Sequence, residues 1–478
     1  MSYSLSLAPV ILKLSAMLRC SYTFVLAVVL CSSATAATDK PNIVFIFADD
    51  WGWGDLSCHG HPYVETPNID RLAAEGTDFY SFTVASGVCS PSRTAVMTGH
   101  FPSRYSIDGH FAWVPSNAKR GMPDWLDTSA PTLPRFLQQA GYATAHFGKW
   151  HLANDMIPDS PTPAAYGYDA YGAFNCSGQQ MPVHEDAMHT NAFIEQAVAA
   201  GKPFFVNLWI HEPHTPFHTV PKYEWRYRDM ESREDAIYAS VLSHADDRIG
   251  DVLDHLDRLG VTENTLVIFS SDNGPARAAT STDLKLHYDT ATGSGWGIAA
   301  AKGITAGRKG YKASLFHGGI NVPFIARWPG KIAAGGVDEN SQISAVDLLP
   351  TFCELAGVEL PVDYAPDGVS ITKVLQGKPM LTRTKPLFWK FPSPWPARGG
   401  KPDHWVSYVV MHDQWKLVTN KDLTHTELYR IVDDPYESND LRSKHPAVAQ
   451  KLLGMLQDWQ KELPSGPSGD VFSSLRKS

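Results

Sequence analysis

Short apolar runs that stop abruptly at polar or charged residues recur along the chain, and a stretch with helical spacing follows each of them. Asn42-Ile43-Val44-Phe45-Ile46-Phe47 ends at Asp49-Asp50, and Tyr142 to Phe147 ends at Lys149 and His151. Pro203 to Ile210 ends at His211 and His214, and Leu266 to Ser270 ends at Asp272-Asn273. Such runs predict strands, and their alternation with helices predicts an α/β architecture. Helical spacing covers Thr132 to Gly141 and Ala236 to Leu259 before Gly260, with apolar faces suited to covering a sheet. In an open parallel sheet the ligand crevice lies at the carboxyl ends of the strands, so four separate polar endings can converge on one site. A Pro- and Gly-rich stretch from about Gly357 to Gly400 carries boundary signals. Beyond it, Trp405 to Val410, Trp415 to Thr419 and Leu428-Tyr429 read as antiparallel strands, and Pro446 to Leu463 as a terminal helix. The tail after Pro464 reads as loosely ordered.

Composition narrows the class. A chain of 478 residues, 43% hydrophobic and 19% charged, can bury one large core with a smaller satellite domain. Its net charge of -9 argues against a nucleic-acid or anionic-membrane binder, so any bound anion needs a local positive pocket. Lys13 and Arg19 precede an apolar run from Tyr22 to Leu30, and Ala34-Thr35-Ala36 supplies small residues for cleavage. Residues 1–36 therefore read as an export signal, which predicts a secreted or periplasmic protein beginning at Ala37, with Met17 as a more compact start. The run is short for a bilayer span of about 20 residues, and no other segment reads as transmembrane. Removing the signal leaves Cys58, Cys89, Cys176 and Cys353, too few for a disulfide scaffold.

The polar endings carry chemistry. Asp49, Asp50, Asp272 and Asn273 are all oxygen donors, which favours a hard ion, Ca2+ or Mg2+, over zinc. Arg93, Lys149, His151, His214 and Lys312 are candidates for binding an anion and stabilising developing negative charge. Arg93 lies in Cys89-Ser90-Pro91-Ser92-Arg93, which continues as Thr94-Ala95-Val96-Met97-Thr98-Gly99 and opens a helix whose N-terminus adds partial positive charge.

This stretch resembles the maturation signature of sulfatases, and the resemblance extends over about Pro41 to Leu463. It includes Gly148-Lys149-Trp150-His151, His211-Glu212-Pro213-His214, Ser270-Ser271-Asp272-Asn273-Gly274, Lys312 to Ile320, and Glu427-Leu428-Tyr429. The resemblance implies an alkaline-phosphatase-like fold: a large α/β domain, residues 37–370, and a C-terminal subdomain, residues 371–478, with a small antiparallel sheet and a helix. It implies that Cys89 is converted to formylglycine by a formylglycine-generating enzyme. The hydrated aldehyde then attacks sulfur with one hydroxyl and expels sulfate with the other. Asp49, Asp50, Asp272 and Asn273 would hold the metal, most often Ca2+, with residue 89 completing its shell. Arg93 would orient the hydrated aldehyde, Lys149 and Lys312 would clamp the sulfate, His151 would take a proton from the second hydroxyl, and His214 would assist the leaving alcohol. Lys309 lies close enough to compete with Lys312, and His211 reads as a supporting residue.

Two positions depart from the family pattern: His317 stands where glutamate usually precedes Gly-Gly, and Asn321 where arginine is common. His317 would contact a sugar or satisfy a buried turn. Export favours a sulfated carbohydrate as substrate, with Trp389, Trp395 and Trp405 available to stack on sugar faces or to pack in a core. The pocket walls are expected from Arg104 to Asp124 and Asp155 to His189. Two rivals stand beside this reading: a phosphodiester or phosphonate ester hydrolase using the same nucleophile, and a non-catalytic sulfoglycan-binding protein in which Cys89 stays a thiol.

Overall fold

The computed structural model describes residues 40–277, 285–297, 303–392 and 403–477. Residues 1–36 and Trp395, for which the sequence makes specific predictions, lie outside them. Eight strands form the main sheet in the order Gly336–Asp338, Thr77–Phe79, Phe324–Arg327, Thr265–Ser271, Asn42–Ala48, Phe204–Trp209, Ala143–Lys149 and Ala170–Phe174. The last five run parallel to one another. Phe324–Arg327 is antiparallel to both of its neighbours, so the sheet is mixed.

Alternation along Asn42–Ala48 divides the interior in two. Ile43, Phe45 and Phe47 face a cluster that includes Ala95, Val96 and Met97 of the helix Cys89–Thr98. Val44, Ile46 and Ala48 face the other cluster, which takes in Ile237 to Leu256 of the helix Arg233–Arg258. Burial on both faces is why this strand is a continuous apolar run. The long helix starts where Ser232 Oγ accepts the Asp235 N–H at 3.1 Å, an N-cap typically worth about 1 kcal/mol.

A four-stranded antiparallel sheet, Leu387–Lys390, Tyr408–His412, Trp415–Thr419 and Thr426–Arg430, is followed by the helix Pro446–Glu462. Val409, Leu417, Leu428 and Trp459 belong to the same cluster as Phe45 and Met97, so this region is packed against the face that carries Cys89.

Two expectations change and one alternative is decided. Leu387–Lys390 is a strand within the stretch read as a boundary, because four residues flanked by Pro and Gly are too few to show a period. Trp389 is 1% exposed and its Nε1 donates to Val84 O at 2.7 Å, so it is a core residue unavailable to a sugar. The tail after Pro464 is docked: Val471 and Ser473 are buried, Trp125 Nε1 donates to Asp470 O, and Arg476 Nε donates to Asp124 at 2.6 Å. Polar pairing holds it, which hydrophobic periodicity does not register. Among the described residues no helix is long and apolar enough to cross a membrane, and the four described cysteines are free.

Candidate active site

In-register pairing levels the strand ends. Ala48 pairs with Ser271, Ile46 with Leu208, and Gly148 with Trp209, so Asp49-Asp50, Asp272-Asn273, Lys149 and the His211–His214 loop emerge along one edge. Gly148 has φ of 110°, and a Cβ there would lie 2.0 Å from Trp209 O. Gly148→Ala is therefore expected to cost about 3 kcal/mol and to displace Lys149; a melting temperature equal to wild type would contradict this.

Cys89 begins a helix whose ten residues are all buried and which Gly99 closes at φ of 62°. Pro91 fits the first turn, where backbone N–H groups have no intrahelical acceptor. Cys89 Sγ lies 3.4 Å from Asp49 Oδ1 and 3.6 Å from Lys149 Nζ. Lys149 Nζ also donates to Asp49 Oδ2. Arg93 is fully buried, donates through Nε and Nη2 to Asp272 Oδ2 at 3.0 and 2.6 Å, and through Nη1 to Lys149 O at 3.1 Å. Its guanidinium rests over Trp209, 4.9 Å from the ring centre. One side chain thus ties three strand ends together.

Lys312, not Lys309, reaches the site. Lys312 Nζ donates to Asp50 Oδ2 at 2.6 Å, whereas Lys309 pairs with Glu427 and Tyr429. His214 Nε2 stands 3.8 Å from Asp50 Oδ2. His211 Nε2 donates to Pro216 O, so it shapes the loop. His151 Nε2 lies 3.0 Å from Phe111 O; a carbonyl only accepts, so the proton is on Nε2 and the buried, unpartnered Nδ1 carries a lone pair. Asp50 and His151 both sit at positive φ, 68° and 52°, sparsely populated backbone for such residues that concentrates at functional sites.

The groups at the strand ends fit a cation. Asp49, Asp50, Cys89 and His214 bring their ligand atoms within 4.8 Å of one another. Asn273 Nδ2 donates to Asp50 Oδ1 at 2.6 Å, and its buried Oδ1 has no partner. Burial, joined by Asp49, pushes Asp272 up to about 7, and it raises Asp50 despite Lys312. Burial opposes ionisation of Asp49 too, but His214, Lys149, Arg93 and Lys312 hold it well below the usual carboxylate range. Three crowded carboxylates in a dry site are what a hard divalent ion relieves. Those three carboxylates balance Arg93, Lys149 and Lys312, so a divalent ion would leave two positive charges facing an anionic substrate.

Sequence reading missed Phe111 and Ser90. The Phe111 N–H donates to Ser90 Oγ at 2.9 Å while its carbonyl accepts from His151, linking the residue beside Cys89 to the histidine. His317 is buried, with Nδ1 donating to Pro435 O, so it satisfies a turn. Asn321 donates to Tyr80 O and Phe82 O and accepts from Arg308. Trp405 is half-buried, edge-on to Phe316.

The sulfatase family profile matches residues 41–358. The chain belongs to the sulfatase family. A second profile, that of the N-sulphoglucosamine sulphohydrolase C-terminal region, matches residues 309–462 of this sulfatase. Rat N-acetylgalactosamine-6-sulfatase is 31% identical over 504 residues, covering 91% of this chain and 88% of its own. N-acetylgalactosamine-6-O-sulfatase of Bacteroides thetaiotaomicron is 26% identical, with 88% and 93% covered. Among solved structures, Ps i-CgsB in complex with k-i-k-neocarrahexaose superposes with a TM-score of 0.73 at 23% identity, covering 92% of this sulfatase and 96% of that chain. The large mixed sheet with a small C-terminal antiparallel sheet is the alkaline-phosphatase-like sulfatase fold that the resemblance implied.

Proposed function

We propose that this sulfatase is an exported, Ca2+-dependent hydrolase of sulfated carbohydrate whose nucleophile is formylglycine made from Cys89. The observation that carries the reading is Cys89 Sγ beside both Asp49 and Lys149, with Lys312 on the adjoining Asp50. Burial, with Asp272 and Asp49, pushes the Cys89 thiol up, so the encoded side chain is a poor nucleophile as it stands. Conversion by a formylglycine-generating enzyme supplies a hydrated aldehyde, whose hydroxyl is the attacking group. Asp49, Asp50, Asp272 and Asn273 would hold Ca2+, which supplies Lewis-acid polarisation of the sulfate.

This chain's own residues account for the rest. Lys149 and Lys312 neutralise the sulfate oxygens, Arg93 fixes Asp272 and the end of the Lys149 strand, and His151 Nδ1 offers the lone pair that takes the proton of the second hydroxyl. His214, whose Nδ1 donates to Thr215 O and whose Nε2 faces Asp50, is placed to assist the departing alcohol. The names of the rat and Bacteroides relatives make N-acetylgalactosamine 6-sulfate the first saccharide to test.

Protein co-expressed with the maturation enzyme is expected to show mass loss at Cys89 and to release sulfate from that sugar. A much higher kcat/KM on a matched phosphate ester would move the assignment to phosphorus, and binding of sulfated glycan by aldehyde-bearing protein without turnover would make it a binding protein. EGTA is expected to lower kcat/KM by about 10³-fold, restored by Ca2+; full activity after exhaustive chelation would remove the metal from the reading.

A further inference from the structure

A second group of ligating side chains lies behind the His211–His214 loop, built from three elements. His184 precedes the helix Asp186–Ala199, Glu212 sits in the loop, and His244 is on the helix Arg233–Arg258. We propose that His184, Glu212 and His244 form a separate site for a transition-metal ion of the zinc class. Their ligand atoms lie within 4.8 Å of one another, with Glu212 buried and both histidines partly open to solvent, which gives an ion a way in. His184 Nε2 is 3.2 Å from Glu212 Oε1, but the approach is off-line for an N–H donor and Nε2 has no hydrogen-bond partner. An imidazole nitrogen 3.2 Å from a carboxylate oxygen, outside hydrogen-bond geometry, is spaced as two ligands of one ion are.

The surroundings are those of a supported metal site. Arg248 Nη2 and Nη1 donate to Glu212 Oε2 and Oε1 at 2.6 and 3.1 Å, and Arg248 Nε donates to Asp186 at 3.0 Å. Two carboxylates against one guanidinium leave one net negative charge beside the imidazoles, and Arg248 fixes the orientation of Glu212. His244 Nδ1 lies 3.4 Å from Arg248 Nη1, at the long limit of a hydrogen bond; arginine only donates, so this nitrogen carries the ring's lone pair and would exchange that long contact for the ion. The His244 ring stacks on Tyr223 at 4.8 Å and meets His184 at 4.4 Å, so packing holds both rings. His218 stands 6.2 Å from His184, ring to ring, with a buried Nε2 that has no partner. Two imidazoles and one carboxylate suit Zn2+ or Co2+, whereas the oxygen donors Asp49, Asp50, Asp272 and Asn273 at the strand ends suit Ca2+, so excess Ca2+ fills that site and not this one.

The test is Zn2+ titration of tag-free, full-length protein by calorimetry in excess Ca2+, with Co2+ absorption and melting temperature as parallel readouts. Wild type is expected to bind one equivalent of Zn2+, to give Co2+ d–d bands, and to melt higher with Zn2+. His184→Ala combined with His244→Ala is expected to weaken that equivalent at least ~100-fold and to abolish the melting shift. His184→Ala alone, at a side chain 29% exposed, is expected to weaken it at least ~10-fold and decides between the outcomes if the double variant fails to fold. Absence of a Zn2+ equivalent in wild type, or one of equal affinity in a folded variant, overturns the proposal.

Discussion

Cys89→Ala protein is expected to fold like wild type and to lose at least ~10⁴-fold in kcat on a sulfated saccharide, with no aldehyde-reactive group. The substitution removes one sulfur from a residue 2% exposed and leaves Lys149 paired with Asp49 and Lys312 with Asp50, so stability is expected to change by about 1 kcal/mol or less. Substrate binding rests on cations that remain, so the loss should appear in kcat and not in KM. Retention of more than about one part in a hundred of wild-type kcat would mean that the nucleophile lies elsewhere, or that the site acts through directly activated water.

Arg93→Ala is expected to have the largest effect on stability, about 3–5 kcal/mol. The guanidinium is fully buried and makes two bonds to Asp272, one to the Lys149 carbonyl and a 3.9 Å approach to Asp49. Removing it strands a buried carboxylate and opens a cavity against Phe47 and Trp209. Arg93→Lys keeps the charge, but a single ammonium lacks the fork that reaches both Asp272 and Lys149 O, so an intermediate loss is expected. Urea unfolding in saturating Ca2+ measures both. A shift below about 1 kcal/mol for the alanine variant would show that Asp272 finds another partner.

The strand endings were legible because strands covered on both sides are continuous apolar runs, and polar residues at their ends stand out. Asp49, Asp50, Asp272, Asn273, Lys149 and His214 could be chosen from that pattern, and the structure gathers them along one edge. The support was not legible. Phe111 acts through its backbone N–H and carbonyl, which leave no mark on residue type. The grouping of His184 with His244 depends on the placement of a 26-residue helix against a loop, which no local spacing encodes. The tail at Val471 to Arg476 looked like a polar terminus because its partners, Asp124 and Asp159, lie over 300 residues earlier. Which of two lysines faces the site depended on the turn at Ala313, where φ is 67°.

The complete burial of the helix Cys89–Thr98 sets a clock on the chain. On the proposed conversion to formylglycine, an oxidising enzyme has to reach Cys89 before this buried helix is packed. Arg93 ties the helix to Asp272, a partner 179 residues further along. At about 5–20 residues per second, synthesis of that interval takes roughly 10–40 s. Under that reading maturation competes with elongation, and slower translation between the two segments lengthens the opportunity.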